Sequence, residues 1–147
     1  MGFHYSMTKV LDFKEKEKET AGTAYQEAVG RFEEAAEKLF RSLRKKEELE
    51  EKRNSQLGAG ISVSAIRDQE SYLDSLERNI NQYQQLVFRS RESMEESQRI
   101  LIEKNTEVKK YEKMRDREFS QYCADEKQRE FAQMDEVSIQ QFINQRN

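Results

Sequence analysis

The chain has 147 residues, of which 37% are charged and only 35% apolar, with no proline, no tryptophan and a net charge of −3. Globular domains carry nearer about 45–50% apolar and about 25% charged residues, so a large globular core is excluded and either disorder or long helices with a narrow apolar stripe remain. Twenty-six basic and 29 acidic residues, interspersed among good helix formers, select the helices.

The first helix is expected over about 5–56. Its seam positions step alternately by three and four through Leu11, Glu15, Lys18, Gly22, Tyr25, Val29, Phe32, Ala36, Leu39, Leu43 and Lys46. From Tyr25 to Leu43 every one of those positions is apolar. A turn follows at about 57–63, where Gly58 and Gly60 punctuate the chain and Ser64 offers an N-cap for what comes next.

The second helix, about 64–130, carries the clearer signal. Ile66, Gln69, Leu73, Leu76, Ile80, Tyr83, Val87, Ser90, Met94, Ser97, Leu101, Lys104, Val108 and Tyr111 keep the same alternation without a break, and ten of the fourteen are apolar. That 3.5-residue period is the mark of a left-handed coiled coil. A tail at about 131–147 is left over, with Asp135 or Ser138 as the cap of a short final helix.

Centring the turn between Ala59 and Gly60 folds the two seams onto each other. It sets Leu43 against Leu76, Leu39 against Ile80, Ala36 against Tyr83, Phe32 against Val87, Tyr25 against Met94 and Leu11 against Val108. Polar layers interrupt the seam where Gly22 meets Ser97, Lys18 meets Leu101, Glu15 meets Lys104, Lys46 meets Leu73 and Glu50 meets Gln69. Pairing runs out near Tyr5 and Met114. The fold expected is therefore all-α, one domain over 1–147, a long two-helix antiparallel coiled-coil hairpin with a C-terminal helical overhang. A short glycine turn joins antiparallel neighbours within one chain, so the hairpin is expected to be a monomer when free.

Chemistry is sparse. Cys123 stands alone, which rules out an internal disulfide and agrees with a reducing cytoplasm; His4 is the one histidine, in an N-terminus expected to fray. Gly58-Ala59-Gly60 lacks the Lys-Ser/Thr of a phosphate loop. The many carboxylates are charge patterning on solvated helices. The densest basic stretch, Arg41 to Arg53, is broken by Glu47, Glu48, Glu50 and Glu51, so no nucleic-acid face is expected. No apolar run approaches the roughly 20 residues of a bilayer span, and no signal peptide is visible. Met1 to Ser6 fits the loose myristoylation pattern but reads as an ordinary N-terminus. The chain is expected to be no enzyme, with no catalytic, cofactor or metal site.

What two helices cannot cover points to partners. Phe13, Phe40, Leu49, Tyr72, Leu86, Phe88, Ile100 and Ile102 fall outside the seams. Residues 115–147 have no partner in the chain yet hold Phe119, Tyr122, Phe131, Met134, Val137, Ile139, Phe142 and Ile143.

Four stretches, Phe3 to Glu19, the turn Gly58 to Ser62, Glu107 to Arg115 and the tail Met134 to Phe142, resemble those of the FliJ family. That family is the small coiled-coil component of the bacterial flagellar type III export apparatus, needed for motility and chemotaxis. The resemblance implies an antiparallel stalk in the pore of the hexameric export ATPase, promoting its assembly and turnover. It implies contact with the export gate in the membrane and with chaperones of export substrates. It implies a cytoplasmic place, peripheral to the membrane at the flagellar base, without membrane insertion. Mapped by position, Phe13, Ile100, Phe119, Tyr122 and Phe131 are candidates for the ATPase contact. Tyr72, Leu76, Asn79 and Tyr83, opposite Lys38 to Leu49, are candidates for the gate contact. Alternatives are an unrelated structural adaptor, separable by an elongated dimeric state, or the equivalent stalk of a virulence secretion system.

Overall fold

The computed structural model describes residues 2–146; Met1, where the myristoylation pattern begins, and Asn147 lie outside the described residues. Two helices, α1 (Thr8–Ala59) and α2 (Val63–Arg146), pack against each other as an all-α antiparallel hairpin, with no strand among the described residues. Two compact units are distinguishable. One spans Thr20–Ile102; the other is built from the residues up to Glu19 and from Glu103 onward.

In the unit Thr20–Ile102 the turn is shorter and later than the glycine pair predicts. Gly58 stays helical, and Gly60 alone takes a left-handed φ of 82°, a conformation that costs glycine nothing because it has no Cβ. The cap of α2 is Ser62, not Ser64. Its hydroxyl accepts the Ala65 N–H at 3.2 Å and its carbonyl accepts the Ile66 N–H at 3.1 Å, which satisfies amides that have no partner within the helix.

Moving the turn moves the register. Leu101, in place of Ser97, faces Gly22, at 3.9 Å from where a Cβ would sit. Lys46 Nζ reaches Glu77 at 3.7 Å in place of Leu73, and the Arg91 guanidinium lies 5.7 Å over the Phe32 ring in place of Val87. Gln69 donates to Gln56 at 2.6 Å, where Glu50 is expected. The pairing centred between Ala59 and Gly60 is thus corrected by about one helical turn.

The seam itself is half as expected. On α2 every predicted position from Ile66 to Leu101 is buried or half-buried, with Leu76 and Ile80 buried. On α1 Tyr25, Phe32, Leu39 and Lys46 are half-buried as well, but the alternating positions are Ala21, Ala28, Ala35 and Ser42, all buried. Their neighbours one residue on fare worse: Gly22, Val29 and Ala36 are half-buried, and Leu43 is 42% exposed. Side-chain size, not hydrophobicity, decides this choice, because small residues let two helix backbones approach closely. Carried along the heptads, the observed register sets Ala21, Ala28, Ala35 and Ser42 level with Leu101, Met94, Val87 and Ile80. It sets Tyr25 and Phe32 level with Ser97 and Ser90. Large meets small in both directions, which fills the space without strain. Burying a side chain such as Ile80 contributes about 1.5–3 kcal/mol.

In the other unit the core is Tyr5, Leu11 and Val108, with Phe3, Met7, Tyr111 and Met114 packed against it. Helix α1 begins at Thr8, not near residue 5; the Thr8 amide and hydroxyl donate to the Tyr5 carbonyl at 3.2 and 2.6 Å. The preceding residues are not helical but are tied down. Pairing therefore continues past Met114, since the Phe3 ring meets Phe119 edge-on at 5.3 Å and Tyr122 at 5.6 Å. A chain of charges crosses the helices beside this core. Lys14 Nζ lies 3.2 Å from Glu107 and 3.8 Å from Glu17, and Lys104 Nζ lies 3.1 Å from Glu17. Glu17, not Glu15, is the partner of Lys104. Nor does α2 close near residue 130 or restart at Asp135 or Ser138; it runs unbroken to Arg146. No glycine or proline follows Gly60, so nothing in the sequence ends it.

Candidate protein-binding surfaces

The gate quartet is divided by the structure. Leu76 is only 5% exposed, in the seam, and Tyr83 is half-buried; Tyr72 is 50% exposed and Asn79 exposed. Leu76 therefore faces α1 and is not free to meet a partner. Tyr72 and Asn79 recur at seven-residue spacing with Leu86, Ser93 and Ile100, all exposed and each one residue before a seam position. That column, not the quartet, is the coherent surface. The seven-residue repeat of Tyr72, Leu86 and Ile100 is the signal that finds it. Leu86 lines a shallow groove of about 150 Å³ together with Arg31, Glu34, Ala35, Lys38 and Ser90. Lys38 Nζ lies 3.6 Å from Glu34, so part of its charge is neutralised on its own helix.

The ATPase candidates are divided between the two units. Ile100 belongs to the unit Thr20–Ile102, whereas Phe13, Phe119, Tyr122 and Phe131 belong to the other. Phe13 is exposed on α1. Phe119 and Tyr122 are partly covered by Phe3, a residue whose role sequence periodicity misses because segment 2–7 has no helical pattern. Phe131 is 66% exposed. It opens the overhang, where every residue from Lys127 to Arg146 is exposed. Met134, Val137, Ile139, Phe142 and Ile143 follow on that stretch, and the Arg146 guanidinium sits 5.4 Å over the Phe142 ring. Arg129, Gln133, Glu136, Gln140 and Asn144 recur at helical spacing and gather into one polar stripe. The apolar side chains are spread over the rest of the circumference, interspersed with Glu130, Asp135, Ser138 and Gln141.

Electrostatics mark the start of this unit. The Tyr5 hydroxyl donates to the Tyr111 carbonyl at 3.0 Å. Burial, with Glu118 next, pushes its pKa up. Hydrogen bonding to Lys14 holds the Glu107 carboxyl below the usual glutamate range, and the same bond raises Lys14.

The larger surface depressions run along α2 alone, one lined by Asn81, Gln84, Gln85, Phe88 and Arg89, the other by Glu130, Gln133, Met134, Val137 and Ser138. Neither has the opposing wall of a ligand pocket, which buries most of its occupant. Cys123 is exposed and free. Among the described residues no group of three or more His, Cys, Asp or Glu is placed to hold a metal ion, and no helix is long and apolar enough to cross a membrane.

Comparison with known proteins gives a consistent result. The family model described as Flagellar FliJ protein matches residues 3–147. A flagellar FliJ protein of Bacillus subtilis (strain 168) is 40% identical over 145 residues, covering 99% of each chain. The fold resembles that of CT670, a solved structure from Chlamydia trachomatis assigned as a YscO homologue, with a TM-score of 0.68 over 99% of this chain and 100% of that one. At 18% identity that likeness concerns the fold alone. With a match over nearly all of the hairpin and a relative at 40% identity, the chain belongs to the flagellar FliJ protein family.

Proposed function

We propose that the chain is a non-catalytic stalk of the flagellar type III export apparatus, acting by binding the hexameric export ATPase through the overhang of α2. The observation that carries this reading is the overhang itself. A continuous helix with Phe131, Met134, Val137, Ile139, Phe142 and Ile143 all more than half exposed has no partner within the chain. Exposed apolar surface of that extent marks an interaction site. The ATP chemistry belongs to the ring. The stalk changes turnover by binding some subunit states better than others, the only way a ligand shifts an equilibrium.

The column of Tyr72, Asn79, Leu86 and Ile100 is the surface we assign to the export gate, with Arg31 and Lys38 beside it. Export chaperones are further partners on the same reading. The protein then works as a monomer on the cytoplasmic side of the membrane at the flagellar base.

The test is ATP turnover by the cognate export ATPase with the full chain, with Phe131→Asp/Phe142→Asp, and with a version ending at Met114. Stimulation by the full chain, lost in both variants, is expected. Equal stimulation by all three would move the contact away from the overhang, and no stimulation by any would remove the regulatory role.

A further inference from the structure

We propose that the ladder of Thr20–Ile102 has a second register. In it α1 slides and rolls on α2, so that Gly22, Val29, Ala36 and Leu43 enter the seam in place of Ala21, Ala28, Ala35 and Ser42, and Gly58 takes over the turn from Gly60.

Helix α1 offers one column more than α2 can receive. Ala21, Ala28, Ala35 and Ser42 are buried, and Tyr25, Phe32 and Leu39 are half-buried beside them. On the far side of that middle column, Gly22, Val29 and Ala36 are half-buried and Leu43 is 42% exposed. The middle column forms a seam with either neighbour, because both combinations keep the alternating steps of three and four that a coiled coil requires. In the observed register Leu39 is level with Tyr83. In the second it is level with Ile80, and Leu43, Ala36 and Val29 are level with Leu76, Tyr83 and Ser90. The slide is three residues, about 4.5 Å, and it takes the side chain of Leu43 out of water.

Gly58 fits the second register and not the first. It lies within α1 with no left-handed φ, and a Cβ added to it would meet nothing within 4 Å. The observed register therefore gives no reason for glycine there, where alanine would favour the helix. A slide of three residues moves the midpoint of the turn by half as much, about one to two residues toward the N-terminus. Gly58 stands two residues before Gly60 and adopts at no steric cost the left-handed conformation that a moved turn needs.

The observed register is lightly held. Lys46 pairs with Glu77 at 3.7 Å and Arg53 with Glu70 at 3.4 Å, all through side chains in contact with water, and such pairs contribute little. After the slide Lys46 is level with Asp74 and keeps an acidic partner, whereas Arg53 is level with Arg67 and loses one. That loss makes the observed register the favoured one. The slide also takes Arg31, Glu34 and Lys38 away from Leu86 and Ser90, with which they line a groove. On the reading that gives this column to the export gate, its surface is then complete in one register only.

The experiment needs no partner and so stands apart from that reading. Cysteine pairs are placed in the full-length chain with Cys123→Ser, and disulfide closure under a mild oxidant is followed at low protein concentration, with helix content checked by circular dichroism. Ala35→Cys/Val87→Cys reports the observed register and Val29→Cys/Ser90→Cys the second. Val29→Cys/Ser97→Cys is displaced to a similar extent the other way and reports breathing of the hairpin. Closure needs Cα atoms within about 7 Å of each other. The first pair is expected to close fastest, and the second more slowly but several-fold faster than the third. Adding Gly58→Ala is expected to slow the second pair by roughly tenfold, since alanine resists the left-handed conformation and favours the helix, and to leave the first unchanged. Closure of the second pair no faster than the third would overturn the second register. Closure of the second pair at the same rate with Gly58→Ala would overturn the exchange of turns on which it depends. Failure of the first pair to close would overturn the observed register, and the proposal with it.

Discussion

Between Thr20 and Ile102 the helices bury a repeating ladder in which alanine meets leucine, methionine or valine; from Lys127 onward the same α2 buries nothing. The two regions have similar charge patterning and similar helix formers, and differ in what the facing side chains can do. Alanine costs no side-chain entropy on burial and admits a large neighbour, so a narrow seam suffices to hold two helices. The overhang has apolar side chains as large as the Tyr25 and Phe32 that α1 presents in that ladder, yet no helix to receive them. Hydrophobicity alone does not mark the core of this molecule; complementarity of size does.

The strongest way to break the comparison is to place a charge in the ladder. Ala28 is fully buried, and an aspartate there cannot reach water. Ala28→Asp is expected to destabilise the hairpin by about 3 kcal/mol, the order expected for an unpaired buried charge. Chemical denaturation followed by circular dichroism checks it.

A second variant acts in the other unit. The Glu107 carboxyl is held below its ordinary range by Lys14, so its contribution is present above about pH 4.5 and drains away as pH falls through the lower folded-state value. Glu107→Gln should therefore melt below wild type at pH 7, and the gap should close at acidic pH as Glu107 is protonated. A gap that is constant across pH would show that the charge is not responsible. The smallest effect is expected for Leu43→Asp. Leu43 is outside the ladder, and a surface change of this kind stays within about 0.5 kcal/mol. A loss matching that of Ala28→Asp would return Leu43 to the seam.

These variants also separate what was legible from what was not. The α2 seam can be read directly, because Leu73, Leu76, Ile80 and Val87 are large and regularly spaced. On α1 the same reading chooses Leu43 over Ser42 and Val29 over Ala28, since small residues carry almost no hydrophobic signal and their value lies in the partner they face. The register slips because Gly58 and Gly60 look alike in sequence, while only Gly60 needs the left-handed conformation. The seam pairing carries as far as Tyr5 opposite Met114, but segment 2–4 has no helical period, and only the packed structure shows that Phe3 reaches on to Phe119 and Tyr122. Of the candidate contacts, Tyr72 and the overhang aromatics are visible as apolar residues outside a seam. Leu76 is at once a seam residue and a contact candidate, and its burial settles it as seam.

The central claim is that the overhang binds and the ladder holds. Hydrogen exchange on the full-length chain, alone and with the export ATPase, tests it most directly. The ladder amides of Thr20–Ile102 should exchange slowly in both states, and those of 127–146 should exchange fast alone and slow markedly on binding. Slowing confined to the ladder, with 127–146 unchanged, would contradict the account.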